Sequence, residues 1–128
     1  MNAPATVGGL VDAFVAAVNR GDRATFGELW DERACEYAPG TPPIVGRGQI
    51  EQHLTPFFDR RRNDLRVDLH EATSDSQWAY CTGTFSFRST EEDSGVTQYV
   101  DGKFLAVVVN NTQGWRLYRL CYNENVAR

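Results

Sequence analysis

Apolar residues recur at helical spacing near the start of the chain: Val7, Leu10, Val11, Phe14, Ala17 and Val18 fall on one face of a helix running to about Arg20. Thr6 can cap its start and Gly21 can stop it. Asp22 can cap a second, short helix that buries Phe26, Leu29 and Trp30. Ala34 to Ala38 reads as a short strand. Pro39, Gly40, Pro42 and Pro43 make a rigid turn, and Ile44 and Val45 return as another strand. A third helix begins near Gly48 with Ile50, Leu54 and Phe57 on one face. Pro56 lies inside it and predicts a kink or an early end.

From Leu65 the period changes to two. Leu65, Val67 and Leu69 alternate with Arg66, Asp68 and His70. After a turn at 74–76, Gln77 to Arg88 carries Trp78, Tyr80, Thr82, Thr84 and Ser86 on one face. Its other face carries Ala79, Cys81, Gly83, Phe85 and Phe87. The acidic run 91–95 is a solvated hairpin loop. Two long strands follow, joined by a turn at 110–114. In the first of them, Phe104 to Val109 is almost continuously apolar, as in a strand covered on both faces. Helices first and antiparallel strands after is an α+β order. We expect one domain over 1–128: three N-terminal helices packed on the concave face of a curved, mainly antiparallel six-stranded sheet. Such a sheet encloses a cavity, the natural place for function.

Composition narrows the function. The 128 residues are 41% hydrophobic and 23% charged, ordinary for a soluble domain, and the net charge of −4 argues against nucleic acid. No apolar run reaches the roughly 20 residues of a membrane span. The first ten residues lack the basic and apolar regions of a signal peptide. Cys35, Cys81 and Cys121 are widely spaced and the two histidines far apart, so no metal site, cofactor or disulfide framework is expected, and a reducing cytoplasm is the default location. Arg60, Arg61 and Arg62 read as a solvated cluster near a helix end, with an anion site as the alternative.

Gly21-Asp22, Trp30-Asp31-Glu32 and the run Gly40-Thr41-Pro42-Pro43-Ile44-Val45-Gly46-Arg47 resemble the opening of the nuclear-transport-factor-2-like superfamily, which includes ketosteroid isomerases and SnoaL-like polyketide cyclases. Gly102 to Leu105 and Gly114 to Leu117 are similar to a subgroup of small ketosteroid-isomerase-like proteins of mostly undefined function. The resemblance implies a cystatin-like or SnoaL-like α+β roll. It also implies where isomerase groups would sit. The oxyanion tyrosine would fall on Phe14, the general-base aspartate on Tyr37, and the protonated aspartic acid on Leu105 or Ala106. None of the three groups is present, so steroid isomerisation by that chemistry is rejected.

With Leu105 inward, alternation places Tyr99, Asp101, Lys103 and Val107 on the cavity face, with Tyr118, Leu120, Tyr122 and Glu124 from the last strand. Phe85 and Phe87 join them, and Phe14, Trp30, Leu54 and Phe57 close the cavity from the helical side. Trp30 and Trp115 read first as core or sheet-packing residues. Asp101 and Lys103 are the sharpest pair, as an acid/base couple or a ligand anchor. The alternative leaves Asp101 in solvent and Lys103 at the mouth. Limonene epoxide hydrolases of this superfamily use an Asp-Arg-Asp arrangement, to which Asp101, Lys103 and Glu124 are distantly similar. Tyr37 and Tyr122 can donate to a ligand carbonyl, while Glu36 is expected on the side opposite Tyr37. His53 and His70 read as surface residues.

The expected occupant is a small hydrophobic molecule, turned over by proton transfer of the isomerase, cyclase or hydratase kind. The alternative is a non-catalytic ligand-binding or dimerisation module. The other sheet face, with Trp78, Tyr80, Thr82, Thr84, Phe104, Ala106, Val108, Leu117, Arg119 and Cys121, is expected to pair two copies as a homodimer.

Overall fold

A computed structural model describes residues 4–111 and 113–126 of the chain. Helix α1 spans Val7–Arg20. Thr6 Oγ1 accepts from the Gly9 amide at 2.9 Å, and Gly21 ends the helix in the left-handed region at φ 68°. There the Gly21 and Asp22 amides bond back to Val18 and Ala17, which satisfies carbonyls the helix end would otherwise leave open. Asp22 then caps α2 (Arg23–Glu28) through Thr25, and those bonds hold its carboxyl below the usual range. Helix α3 (Arg47–Phe58) contains Pro56 and ends two residues beyond it, the early end that proline predicts.

Six strands follow the expected order, most with longer bounds and β2 as expected: β1 (Trp30–Tyr37), β2 (Ile44–Val45), β3 (Arg61–Ser74), β4 (Trp78–Glu91), β5 (Thr97–Asn111) and β6 (Gly114–Glu124). They form one sheet in the order β2-β1-β6-β5-β4-β3. Neighbours are antiparallel except β1 and β6, which run parallel, so the sheet is mixed. Thr112 of the predicted turn lies outside the described residues.

The helices cover one face of the sheet. Asn19 on α1 clasps the Leu65 backbone of β3, donating to its carbonyl at 3.0 Å and accepting from its amide at 2.7 Å. Beneath the helices an aromatic cluster fixes their angles. Phe26 packs at 5.3 Å from Phe14, 5.9 Å from Trp30 and 5.2 Å from Phe58, ring centre to ring centre. Phe26 and Trp30 are almost wholly buried. Truncating a ring in such a core costs about 3–5 kcal/mol. No helix among the described residues is long and apolar enough to cross a membrane.

The arginine cluster is mostly spoken for. Arg60 pairs with Asp93 at 2.6 Å; Arg61 lies 3.7 Å from Glu91 and donates to Ser89. Both tie the start of β3 to the acidic β4–β5 hairpin.

Candidate functional site

Between the helices and the sheet lies a cavity of about 680 Å³. Phe14 from α1, Leu54 and Phe57 from α3, Phe85 and Phe87 from β4, and Leu120 from β6 give it an apolar wall, as the sequence predicts for all six. Phe57 meets Phe87 edge-on at 5.5 Å, and Phe85 meets Tyr122 at 5.7 Å. Cys81 also faces inward, but burial pushes its thiol up to about 11, so it carries almost no thiolate at neutral pH.

One carboxyl sits in this apolar wall. On β1 Trp30, Ala34 and Glu36 are buried, whereas Glu32 and Tyr37 are exposed. Glu36 is 2% exposed and lines the cavity. Its Oε1 has no hydrogen-bond partner among the described residues. The parallel pairing of β1 with β6 sets Glu36 beside Leu120 and brings Tyr122 within a hydrogen bond of its carboxyl. Desolvation raises the Glu36 pKa to about 7, partly offset by that bond from Tyr122. The Tyr122 hydroxyl is itself pushed up, first by burial and then by the charges of Glu36 and Glu124. It therefore stays a donor throughout the physiological range. Glu124, one alternation further along β6, lines the cavity as predicted.

A polar chain supports the opposite wall. Arg61 donates to Ser89 at 2.7 Å, Ser89 to Asn63 at 2.7 Å, and Asn63 to the Phe57 carbonyl at 2.6 Å. Ser89 is fully buried and Asn63 lines the cavity. This chain fixes the end of α3, and with it Phe57, against β3 and β4.

Several expected site residues point elsewhere. On β5 the even positions face in: Val100, Phe104, Ala106 and Val108 line the cavity, while Leu105 is 50% exposed. Cross-strand pairing fixes this parity. Gly83, Phe85 and Phe87 stand opposite Phe104, Gly102 and Val100. Asp101 and Lys103 therefore belong to the outer face with Leu105 and Val107. Asp101 meets the Tyr99 hydroxyl at 3.4 Å, and Lys103 donates to Asn125 at 3.0 Å. No ion pair joins the two among the described residues. Tyr99 reaches the cavity rim, half-exposed, under the Arg88 guanidinium.

A bulge divides β6. Val107 and Val108 of β5 pair with Arg119 and Leu117, so Tyr118 is the extra residue. Before it the odd positions Trp115 and Leu117 face in; after it Leu120, Tyr122 and Glu124 do. Tyr118 leaves the expected cavity set and packs on the outer face, 5.2 Å from Trp78 and under Arg119. Trp30 lies in the aromatic core and does not line the cavity. His53, read as a surface residue, is half-buried and lines it.

The description of the SnoaL-like domain matches residues 11–112. The chain belongs to the SnoaL-like family. No curated protein matches its sequence. Among solved structures, this SnoaL-like chain is similar to a ketosteroid isomerase-like protein from Erwinia carotovora atroseptica: 19% identical, TM-score 0.80, covering 94% of this chain and 95% of that one. It is also similar to a protein from Streptomyces avermitilis, provisionally named a dehydratase of the NTF2-like family: 21% identical, TM-score 0.81, with the same coverage of each. A third is a provisionally named calcium/calmodulin-dependent protein kinase type II association domain from Thiobacillus denitrificans. It is 16% identical with TM-score 0.76, and 98% of this chain and 100% of that one are covered. At these identities the likeness shows the fold, which hosts many functions.

Phe14 lines the cavity and Tyr37 does not; the inward neighbour of Tyr37 is Glu36. On β5 the inward member of the pair is Ala106. A carboxyl thus stands inward on the first strand of this SnoaL-like chain, whereas Phe14 and Ala106 bring no donor. Glu36 shares the buried side of β1 with Ala34 and Trp30, two and six residues earlier.

Proposed function

We propose that the cavity binds a small, mainly apolar molecule and that Glu36 exchanges a proton with it, oriented by the Tyr122 hydroxyl. The observation that carries this reading is the carboxyl itself. A buried carboxyl with an open oxygen, in an apolar pocket, titrating near neutrality, is poised to act as acid or base. Isomerisation, cyclisation and dehydration all begin with such a transfer, and none requires a metal or cofactor for it. The unpaired cysteines suit a cytoplasmic setting.

The test is a thermal-shift screen of the full chain against small hydrophobic ketones, epoxides and alcohols, followed by turnover assays on each hit. A ligand at about 100 times its dissociation constant stabilises by roughly 2.7 kcal/mol. Glu36→Gln should keep the binding shift and lose turnover by about a hundredfold or more. Turnover untouched by that change would remove Glu36 from the chemistry. Binding without turnover in the native chain would leave a ligand-binding module.

The outer sheet face supports a second role. Trp78, Tyr80, Leu105 and Tyr37 are all more than a third exposed there, and Cys121 is exposed beside them. We read this face as the contact between two copies in a homodimer.

A further inference from the structure

Among the described residues the cavity lining contains two carboxyl groups, Glu36 and Glu124, and no lysine or arginine; His53 on α3 is the one lining side chain among them able to carry positive charge. Glu36 and Glu124 lie at two depths along the β1–β6 seam, Glu36 beside Leu120 and Glu124 two alternations further on, opposite Gly102. The nearby guanidiniums are turned to other work. Arg61 sits over the Phe57 ring and bonds Ser89, and Arg88 lies over Tyr99. An anion entering this space would lose its hydration and meet acidic groups, with no lysine or arginine among the described lining residues to receive it. Glu36 meanwhile is only 2% exposed, with Oε1 lacking any donor among the described residues. A buried acceptor of that kind is left costly until a ligand donor meets it.

From this we infer that the molecule bound here is an amine: an apolar body carrying a basic nitrogen that meets Glu36, with carboxylates, phosphates and sulfates rejected. This rests on the pocket reading above and names the polar group of its occupant. The proton exchange then balances simply. Glu36 in its acid form gives its proton to the nitrogen lone pair, leaving a carboxylate facing an ammonium, and the reverse transfer restores both neutral groups. Tyr122 keeps its proton and donates to the Glu36 carboxyl in either state. A charge-assisted bond of this kind strengthens binding by about tenfold or more over a neutral one.

Three near-isosteric probes separate the possibilities: 2-(aminomethyl)naphthalene, 2-naphthalenemethanol and 2-naphthoate, titrated calorimetrically into the full chain at neutral pH. The amine should bind about tenfold more tightly than the alcohol, and the naphthoate should give no binding heat. In Glu36→Gln the amine should fall to the affinity of the alcohol while the alcohol is unchanged, which also reports that the variant is folded. The comparison in the native chain stands by itself should that variant fail to fold. Equal affinity for amine and alcohol, or tightest binding of the naphthoate, overturns the amine assignment and leaves the pocket reading in place. Heat from none of the three overturns both.

Discussion

Glu36 shows what a single buried group does to its surroundings. Its carboxyl ordinarily titrates at 4.5 and is raised to about 7 in the fold. The sign of the stability effect follows. Below pH 4.5 the group is protonated whether folded or not, so no ionisation penalty applies. Between 4.5 and 7 the unfolded chain gives up the proton first, so stability falls as pH rises. Above 7 the penalty is constant at about 3 kcal/mol. Glu36→Gln keeps the shape and cannot ionise. Urea melts should show the variant gaining on the native chain by about this amount between pH 4.5 and pH 7.5. A difference that does not change with pH would mean that the carboxyl is not desolvated. The residue was hard to find in the sequence for a plain reason. In Ala34-Cys35-Glu36-Tyr37-Ala38 apolar residues occupy both parities, so alternation does not say which side is inward.

The same limit acts on whole strands. The elements themselves were readable: caps at Thr6, Gly21 and Asp22 fixed two helices, and period two from Leu65 gave the long strands. Facing was readable only where alternation was clean, as on β4. On β5 the run Phe104 to Val109 is apolar at every position and carries no parity, so Asp101 and Lys103 were turned inward by analogy and proved to face out. On β6 the Tyr118 bulge reverses parity midway, and nothing in the sequence marks it. Glycines locate the tightest packing between strands. A Cβ at Gly102 would overlap the Asn123 carbonyl oxygen and lie 3.0 Å from the Phe85 ring; one at Gly48, in α3, would meet nothing within 4 Å. Gly102→Ala should therefore cost about 2 kcal/mol or more by overpacking, whereas Gly48→Ala should gain about 0.5–1 kcal/mol from helix propensity. Paired urea melts decide this, and equal midpoints would contradict the close approach at Gly102.

At the scale of the molecule the two faces of the sheet differ. Its inner face makes the cavity, and its outer face presents Trp78, Tyr80, Leu105, Val107 and Tyr118. The sequence reading anticipated such a face but assigned it Phe104, Ala106, Val108 and Leu117, which the β5 parity and the β6 bulge turn inward. Light scattering after gel filtration at micromolar concentration should give twice the chain mass of 14.4 kDa. Tyr80→Lys, 38% exposed at the centre of this face, should shift the mass to a monomer while leaving cavity ligands bound. A native mass of one chain would exclude the paired arrangement.

The parallel seam between β1 and β6 also orders events in time. Every other long-strand pair joins neighbours in the chain, which close as simple hairpins. The seam alone joins the earliest strand to the latest, and its loop-closure entropy is the greatest in the sheet. Glu36 leaves the ribosome well before Tyr122 does. Until β6 docks, the acid has neither its donor nor its dry surroundings, so it is an ordinary ionised glutamate on a wet edge. The dry setting that raises the Glu36 carboxyl to about 7 thus depends on β6 being in place beside β1.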